Sequence, residues 1–159
     1  MEELELATRS ALETEQAAKA LAVELRASDV LLIEGEVSTG MTTFVRGACR
    51  ALGVSETVSS PSFTIGRVYE GRLPVSHVDL FRLETLEGED PALLADYVTP
   101  ESVSFIEWPD AASAELEPDR VALRIRLSHM GGDRRLISAV GRRDLVARVK
   151  DRLETRRPG

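Results

Sequence analysis

Apolar and polar positions change their period several times along this chain, and each change predicts an element. Residues 3–10, ELELATRS, alternate and predict a short strand. Residues 14–27, TEQAAKALAVELRA, place Ala17, Leu21 and Leu25 beside Ala18 and Ala22 at helical spacing, in a stretch rich in strong helix formers. DVLLIEG, residues 29–35, is a compact apolar run bounded by charge and glycine, as in a strand buried on both faces of a parallel sheet. TTFVRGACRAL, residues 42–52, returns to helical spacing and ends at Gly53. FTIGRVYE and LPVSHVDLF alternate on either side of EGR, which predicts an antiparallel hairpin. EGEDPALLADYV, residues 87–98, predicts a short helix with Pro91 early and Leu93, Leu94 and Tyr97 on one stripe. SVSFIEW, residues 102–108, reads as another buried strand. DRVALRIRLSH and RRLISAVG flank the turn MGGD as a second hairpin, and RRDLVARVKDRLE, residues 142–154, closes the chain as an amphipathic helix. There is no internal repeat. The sum is an α/β protein of three layers around a mixed β-sheet, expected as one domain over residues 1–159.

Composition narrows the class. A chain of 159 residues with 43% hydrophobic and 30% charged residues can bury a core without disulfide or metal staples. No apolar run approaches the roughly 20 residues of a membrane span. The acidic start MEELELATRS lacks an apolar signal segment, so no membrane association and a cytoplasmic location are expected. The single Cys49 lies among small and apolar neighbours with no histidine nearby in sequence, which predicts a buried, inert thiol. Charge is uneven: residues 1–119 carry 8 Lys or Arg against 23 Asp or Glu, whereas residues 120–159 carry 12 against 4. A basic C-terminal segment suits either RNA or an acidic partner, or a solvated helix that balances an acidic body.

The chemistry concentrates in IEGEVSTGMTT, residues 33–43, which follows a predicted strand and opens a predicted helix. Gly35 and Gly40 are separated by four residues and a hydroxyl follows at Thr42, so the phosphate-loop pattern G-x-x-x-x-G-K-S/T is met everywhere except at Met41. In such a loop the backbone N–H groups and the following helix dipole point at phosphates. The candidate nucleotide-binding residues are Gly35, Glu36, Val37, Ser38, Thr39, Gly40, Met41, Thr42 and Thr43, with Thr42 at the magnesium-ligand position. The bland alternative is a strand-to-helix turn with N-capping threonines. Asp79 in HVDLFR and Glu107 in IEW end predicted strands; spacing alone leaves open whether they are functional acids or ordinary carboxylates paired with Arg82 or Arg67. SSPSFT, residues 59–64, is a hydroxyl-rich turn stiffened by Pro61, or simply a surface loop. His77 has no second His or Cys at ligand spacing and reads as structural.

Taken in order, the helix near Thr14, the glycine loop, SSPSFT, HVDLFR and IEW resemble the TsaE (YjeE) family over nearly the whole chain. These are the small P-loop ATPases of bacterial tRNA threonylcarbamoyladenosine synthesis. The resemblance implies a P-loop NTPase-like fold, ATP and Mg2+ as cofactors at the loop, and work alongside TsaD and TsaB on tRNA. It assigns catalytic roles to Asp79 and Glu107, with Glu107 anchoring magnesium beside Thr42. It gives Ser60, Pro61, Ser62 and Phe63 the part of a switch near the γ-phosphate, with Ser62 in place of the usual threonine, and it sets Trp108 and Arg82 near the site.

Met41 departs from that pattern. Methionine matches the unbranched stem of lysine and supplies neither charge nor strong donor, so weakened binding and hydrolysis are expected. Ser38 and Thr39 also replace the family's usual Gly and Ala. Arg46 lies about 140° around the helix from Met41 and does not share its face. Arg82 or Arg67 are the candidates to reach in from neighbouring strands. Two functional readings stand: a component that binds Mg-ATP with weakened hydrolysis, and a non-catalytic interaction module that no longer needs nucleotide. A small-molecule kinase is disfavoured, since no lid-like arginine-rich insert is visible.

Overall fold

A computed structural model of the chain describes residues 1–36, 39–60, 65–81, 83, 89, 92–112, 115–116 and 118–156. Its elements run β1 (Glu2–Thr8), α1 (Ala11–Ala22), β2 (Val30–Gly35), α2 (Met41–Ala51), β3 (Gly66–Glu70), β4 (Pro74–Asp79), β5 (Val103–Glu107), β6 (Val121–His129), β7 (Arg135–Gly141) and α3 (Arg143–Arg156), with short 3-10 helices at Pro109–Ala112 and Pro118–Arg120. The seven strands form one sheet in the order β1-β7-β6-β2-β5-β4-β3. β6, β2, β5 and β4 are mutually parallel, and antiparallel pairs at each end, β1–β7–β6 and β4–β3, complete a mixed sheet.

Alternation along the central strands sorts side chains to two faces. Leu31, Ile33, Phe105 and Ile125 join α1, α2 and α3 in the larger core, together with Phe44, Ala48 and Leu145. Val30, Leu32, Val78 and Ile106 face the other way, against Leu94, Ala111 and Ala112. The second face is therefore covered, among the described residues, by the turns of residues 92–98 and the 3-10 helix Pro109–Ala112. Both hairpins expected from the sequence are present, as β3–β4 and β6–β7, the second turning through Gly131 and Gly132 at φ of 95° and 57°.

Two expectations need correction. The first helix starts at Ala11 rather than Thr14 and ends at Ala22 rather than 27. Ser10 caps it by accepting from the Glu13 N–H at 3.1 Å, while Leu25 stays buried in a non-helical turn, so the apolar stripe outlasts the helix. The helix expected over residues 87–98 is, in its described part, a set of hydrogen-bonded turns at 92–98; residues 87, 88, 90 and 91 lie outside the described residues. The Tyr97 carbonyl accepts from the hydroxyls of Ser76 and Ser102 at 2.6 and 3.2 Å, which diverts it from a helical ladder.

Candidate functional site

β2 delivers the chain to the glycine loop at the carboxyl ends of the parallel strands, the place where open α/β sheets bind ligands. A Cβ at Gly35 would lie 2.5 Å from the Leu127 carbonyl oxygen of β6, so the loop leaves the sheet through a gap that only glycine fits. Gly40 has a φ of 93°, a left-handed conformation that lets the chain turn into α2. Thr39 is buried, its hydroxyl donating to the Glu36 carbonyl at 2.8 Å and its own carbonyl accepting from Nε of Arg135 at 3.1 Å. Met41 opens α2 behind an N-cap that provides no side-chain hydrogen bond, and the first turn holds no acid. Among the described residues, then, neither the cap nor a first-turn acid competes with an anion for its leading N–H groups. Val37 and Ser38 lie outside the described residues.

The β4–β5 register sets Asp79 opposite Glu107. Thr42 Oγ1, on the first turn of α2, donates a long 3.5 Å hydrogen bond to Glu107 Oε1, while Glu107 Oε2 meets Nε2 of His77. Asp79 accepts from the Ser60 hydroxyl through Oδ2 and from the Phe81 N–H through Oδ1, both at 3.0 Å. Gly40, Met41, Thr42, Asp79, Glu107 and Trp108 all border one cavity of about 340 Å³, which Ser60 also lines. A second cavity of about 190 Å³ lies against the loop at Thr39, Gly40 and Thr43, and Ala11, Thr14, Asp133 and Arg135 complete it. Trp108 holds a left-handed φ of 55°, donates its N–H to the Ile33 carbonyl at 3.1 Å and packs its ring 5.0 Å from the exposed Phe81. Pro61, Ser62, Phe63 and Arg82, assigned to the switch and the site's surroundings, lie outside the described residues.

Of the cations considered as replacements for the missing lysine, Arg46 and Arg67 are engaged elsewhere, and Arg82 lies outside the described residues. Arg46 donates to the Val58 carbonyl at 3.3 Å and pairs with Glu15. Arg67 pairs with Glu56 at 3.4 Å and lies over the Tyr69 ring, so it neither reaches the cavity nor pairs with Asp79 or Glu107. Met41 is 6% exposed and packs within the larger core. Two contacts at the site were not read from the sequence, Arg135 with Thr39 and His77 with Glu107. Arg135 reaches the loop only through the β6–β7 register, which no local pattern encodes. His77 carried a usable signal, since it lies two residues before Asp79 on one strand and so shares its face.

Five of the C-terminal cations form ion pairs with the acidic body. Arg142 pairs with Asp29, Arg143 and Lys150 with Glu2, and Arg148 and Arg152 with Glu24. Of the two readings of that segment, the balancing helix is the one these pairs support. No helix among the described residues is long and apolar enough to cross a membrane.

Residues 8–137 match the family described as "Threonylcarbamoyl adenosine biosynthesis protein TsaE". Relatives named tRNA threonylcarbamoyladenosine biosynthesis protein TsaE include one from Bacillus subtilis, 37% identical over 146 residues that cover 90% of each chain. Another, from Treponema pallidum, is 32% identical across 76% of this chain and 89% of its own. The crystal structure of Bacillus subtilis YdiB superposes with a TM-score of 0.78 at 27% identity, covering 98% of this chain and 97% of that one. With a family match that spans the loop, both acids and the strands that position them, the chain belongs to the TsaE family.

Proposed function

We propose that this protein binds Mg-ATP in the glycine loop and serves threonylcarbamoyladenosine formation on tRNA in the cytoplasm, in concert with TsaB and TsaD, with hydrolysis weakened by Met41. The observation that carries the reading is the convergence of an uncapped helix start, a left-handed Gly40 and two opposed acids on one cavity. The residues fit the nucleotide. Gly35 lets the loop leave the sheet past Leu127, the left-handed Gly40 turns the chain so that the start of α2 borders the cavity, and the second cavity, lined by Thr14, Asp133 and Arg135, lies along the same loop. They also fit magnesium. No group of three or more His, Cys, Asp or Glu among the described residues forms a cage of its own, and Mg2+ characteristically takes one or two protein ligands together with substrate phosphates.

In this mechanism the N–H groups of the loop and the first turn of α2 would bind the phosphates, and Thr42 and Glu107 would hold the metal. Magnesium, when bound, offsets phosphate charge and orients the terminal phosphoryl group. Asp79 orients the attacking water, and its hydrogen bond from Ser60 ties that acid to the segment proposed as the switch. Trp108 and Phe81 pack against each other along one side of the cavity. The switch, responding to the terminal phosphate, would govern docking to TsaB and TsaD.

The burial of Met41 favours a second reading, a docking module that works without nucleotide. One titration separates the two. Adding an ATP analogue with magnesium while following Trp108 fluorescence gives a saturable change under the first reading. A flat trace, with docking to a TsaB–TsaD complex intact, replaces the first by the second. Asp79→Ala or Glu107→Ala in a Met41→Lys background is expected to abolish turnover; unaltered turnover removes the role assigned to that acid.

A further inference from the structure

We infer that His77 is a positioning residue for the metal-binding carboxylate, an inference that rests on the Mg-ATP reading above. The imidazole is fully buried in β4, and its one polar contact among the described residues is Nε2 against Oε2 of Glu107. Nδ1 is buried with no hydrogen-bond partner among the described residues. A proton on Nδ1 would be a buried donor without an acceptor, so the tautomer that fits carries its proton on Nε2 and donates to Glu107. The strand neighbours Val75 and Val78 are fully buried apolar residues, and an apolar side chain at 77 would avoid the orphaned nitrogen. A histidine at this position is explained by what its other nitrogen does.

Glu107 has three side-chain torsions and is 3% exposed. With Oε2 held by His77 from below, Oε1 is left facing Thr42, the other residue assigned to magnesium. The order His77, Glu107, Thr42 runs from β4 through β5 to the first turn of α2, so the sheet itself sets the carboxylate's direction. Outer partners of this kind fix a metal-binding carboxylate before the metal arrives, and their loss typically weakens metal affinity about 10- to 100-fold.

The test compares the full-length parent with His77→Leu and His77→Gln, measuring affinity for a fluorescent ATP analogue in magnesium and in EDTA. His77→Leu is expected to lose the magnesium enhancement by about tenfold or more while affinity in EDTA stays within about twofold of the parent. His77→Gln, whose amide can donate in place of Nε2, is expected to recover most of it. An enhancement in His77→Leu equal to the parent's overturns the inference, as does a parallel loss in magnesium and in EDTA, which is the mark of a merely structural role. Should the variants fail to fold, nitrogen-15 spectra of the parent's histidines decide. A slowly exchanging proton on Nε2 of His77 that shifts in Glu107→Gln supports the inference, and a proton on Nδ1 sinks it. If the parent binds the analogue in neither condition, the Mg-ATP reading falls, and the imidazole signal still decides whether His77 holds Glu107.

Discussion

Met41 is the residue on which the site's strength turns. A unit charge pair at about 4 Å is worth roughly 4 kcal/mol at an effective dielectric near 20, before desolvation, and half of that exceeds tenfold in affinity. Met41→Lys is therefore expected to tighten binding of the ATP analogue by at least about tenfold and to restore hydrolysis, read by Trp108 fluorescence and phosphate release. Without nucleotide the same variant should melt lower than the parent, because position 41 packs in the core and a lysine there loses apolar contact. At Cys49 burial pushes the thiol up to about 12, far above the range in which a thiolate forms at neutral pH. The native protein should leave a thiol reagent unreacted over hours at pH 7.5, with labelling only on denaturation; rapid labelling of the folded chain would contradict the packing around α2.

The elements that carry the site were largely legible because each has a local cause. β2 is a near-continuous apolar run, buried on both faces as such runs are in parallel sheets, and α2 follows directly because the loop ends in a left-handed glycine. Where local causes compete, the reading slipped. The apolar stripe of α1 hid a cap four residues before the predicted start, and the segment at 92–98 had helical spacing but lost its ladder to serine hydroxyls. The cap gives a direct check: Ser10→Ala is expected to destabilise the protein by about 0.5–2 kcal/mol, whereas Ser10→Asp, which also caps, should sit close to the parent in a denaturant melt. Equal loss in both variants would mean that Ser10 matters for something other than the Glu13 N–H.

For the whole molecule, the opposition of an acidic body and a basic C-terminal helix is structural. Glu24, between α1 and β2, takes both Arg148 and Arg152 from α3. The hydrogen bond from Arg152 holds its carboxyl below the ordinary value of 4.5 against an opposing desolvation effect, with the charge of Arg152 and the Arg148 contacts adding to the lowering. A depressed folded-state value stabilises the fold above pH 4.5 and ceases to do so as pH falls through that lower value. Glu24→Gln should accordingly lower stability by about 1 kcal/mol at neutral pH after solvent screening, and the gap from the parent should close as the pH is taken well below 4.5. A gap that persists in acid would assign the effect to packing. Raising the salt concentration should narrow it too, since the arginines are partly exposed.

From its order of residues alone the chain determined the α/β class, the two hairpins, the glycine loop between a buried strand and a helix, and the family. The class, the hairpins and the loop rest on period, turn chemistry or spacing within a few residues, whereas the family rests on a resemblance of motifs in order along most of the chain. Tertiary structure decided how the far-separated groups meet. Asp79 faces Glu107 because β4 and β5 pair in one register, and His77 reaches Glu107 across 30 positions of sequence. Arg135 meets Thr39 from 96 positions away. Strand order and register arise from burying both sheet faces at once, a condition on the whole chain that no short window of it contains.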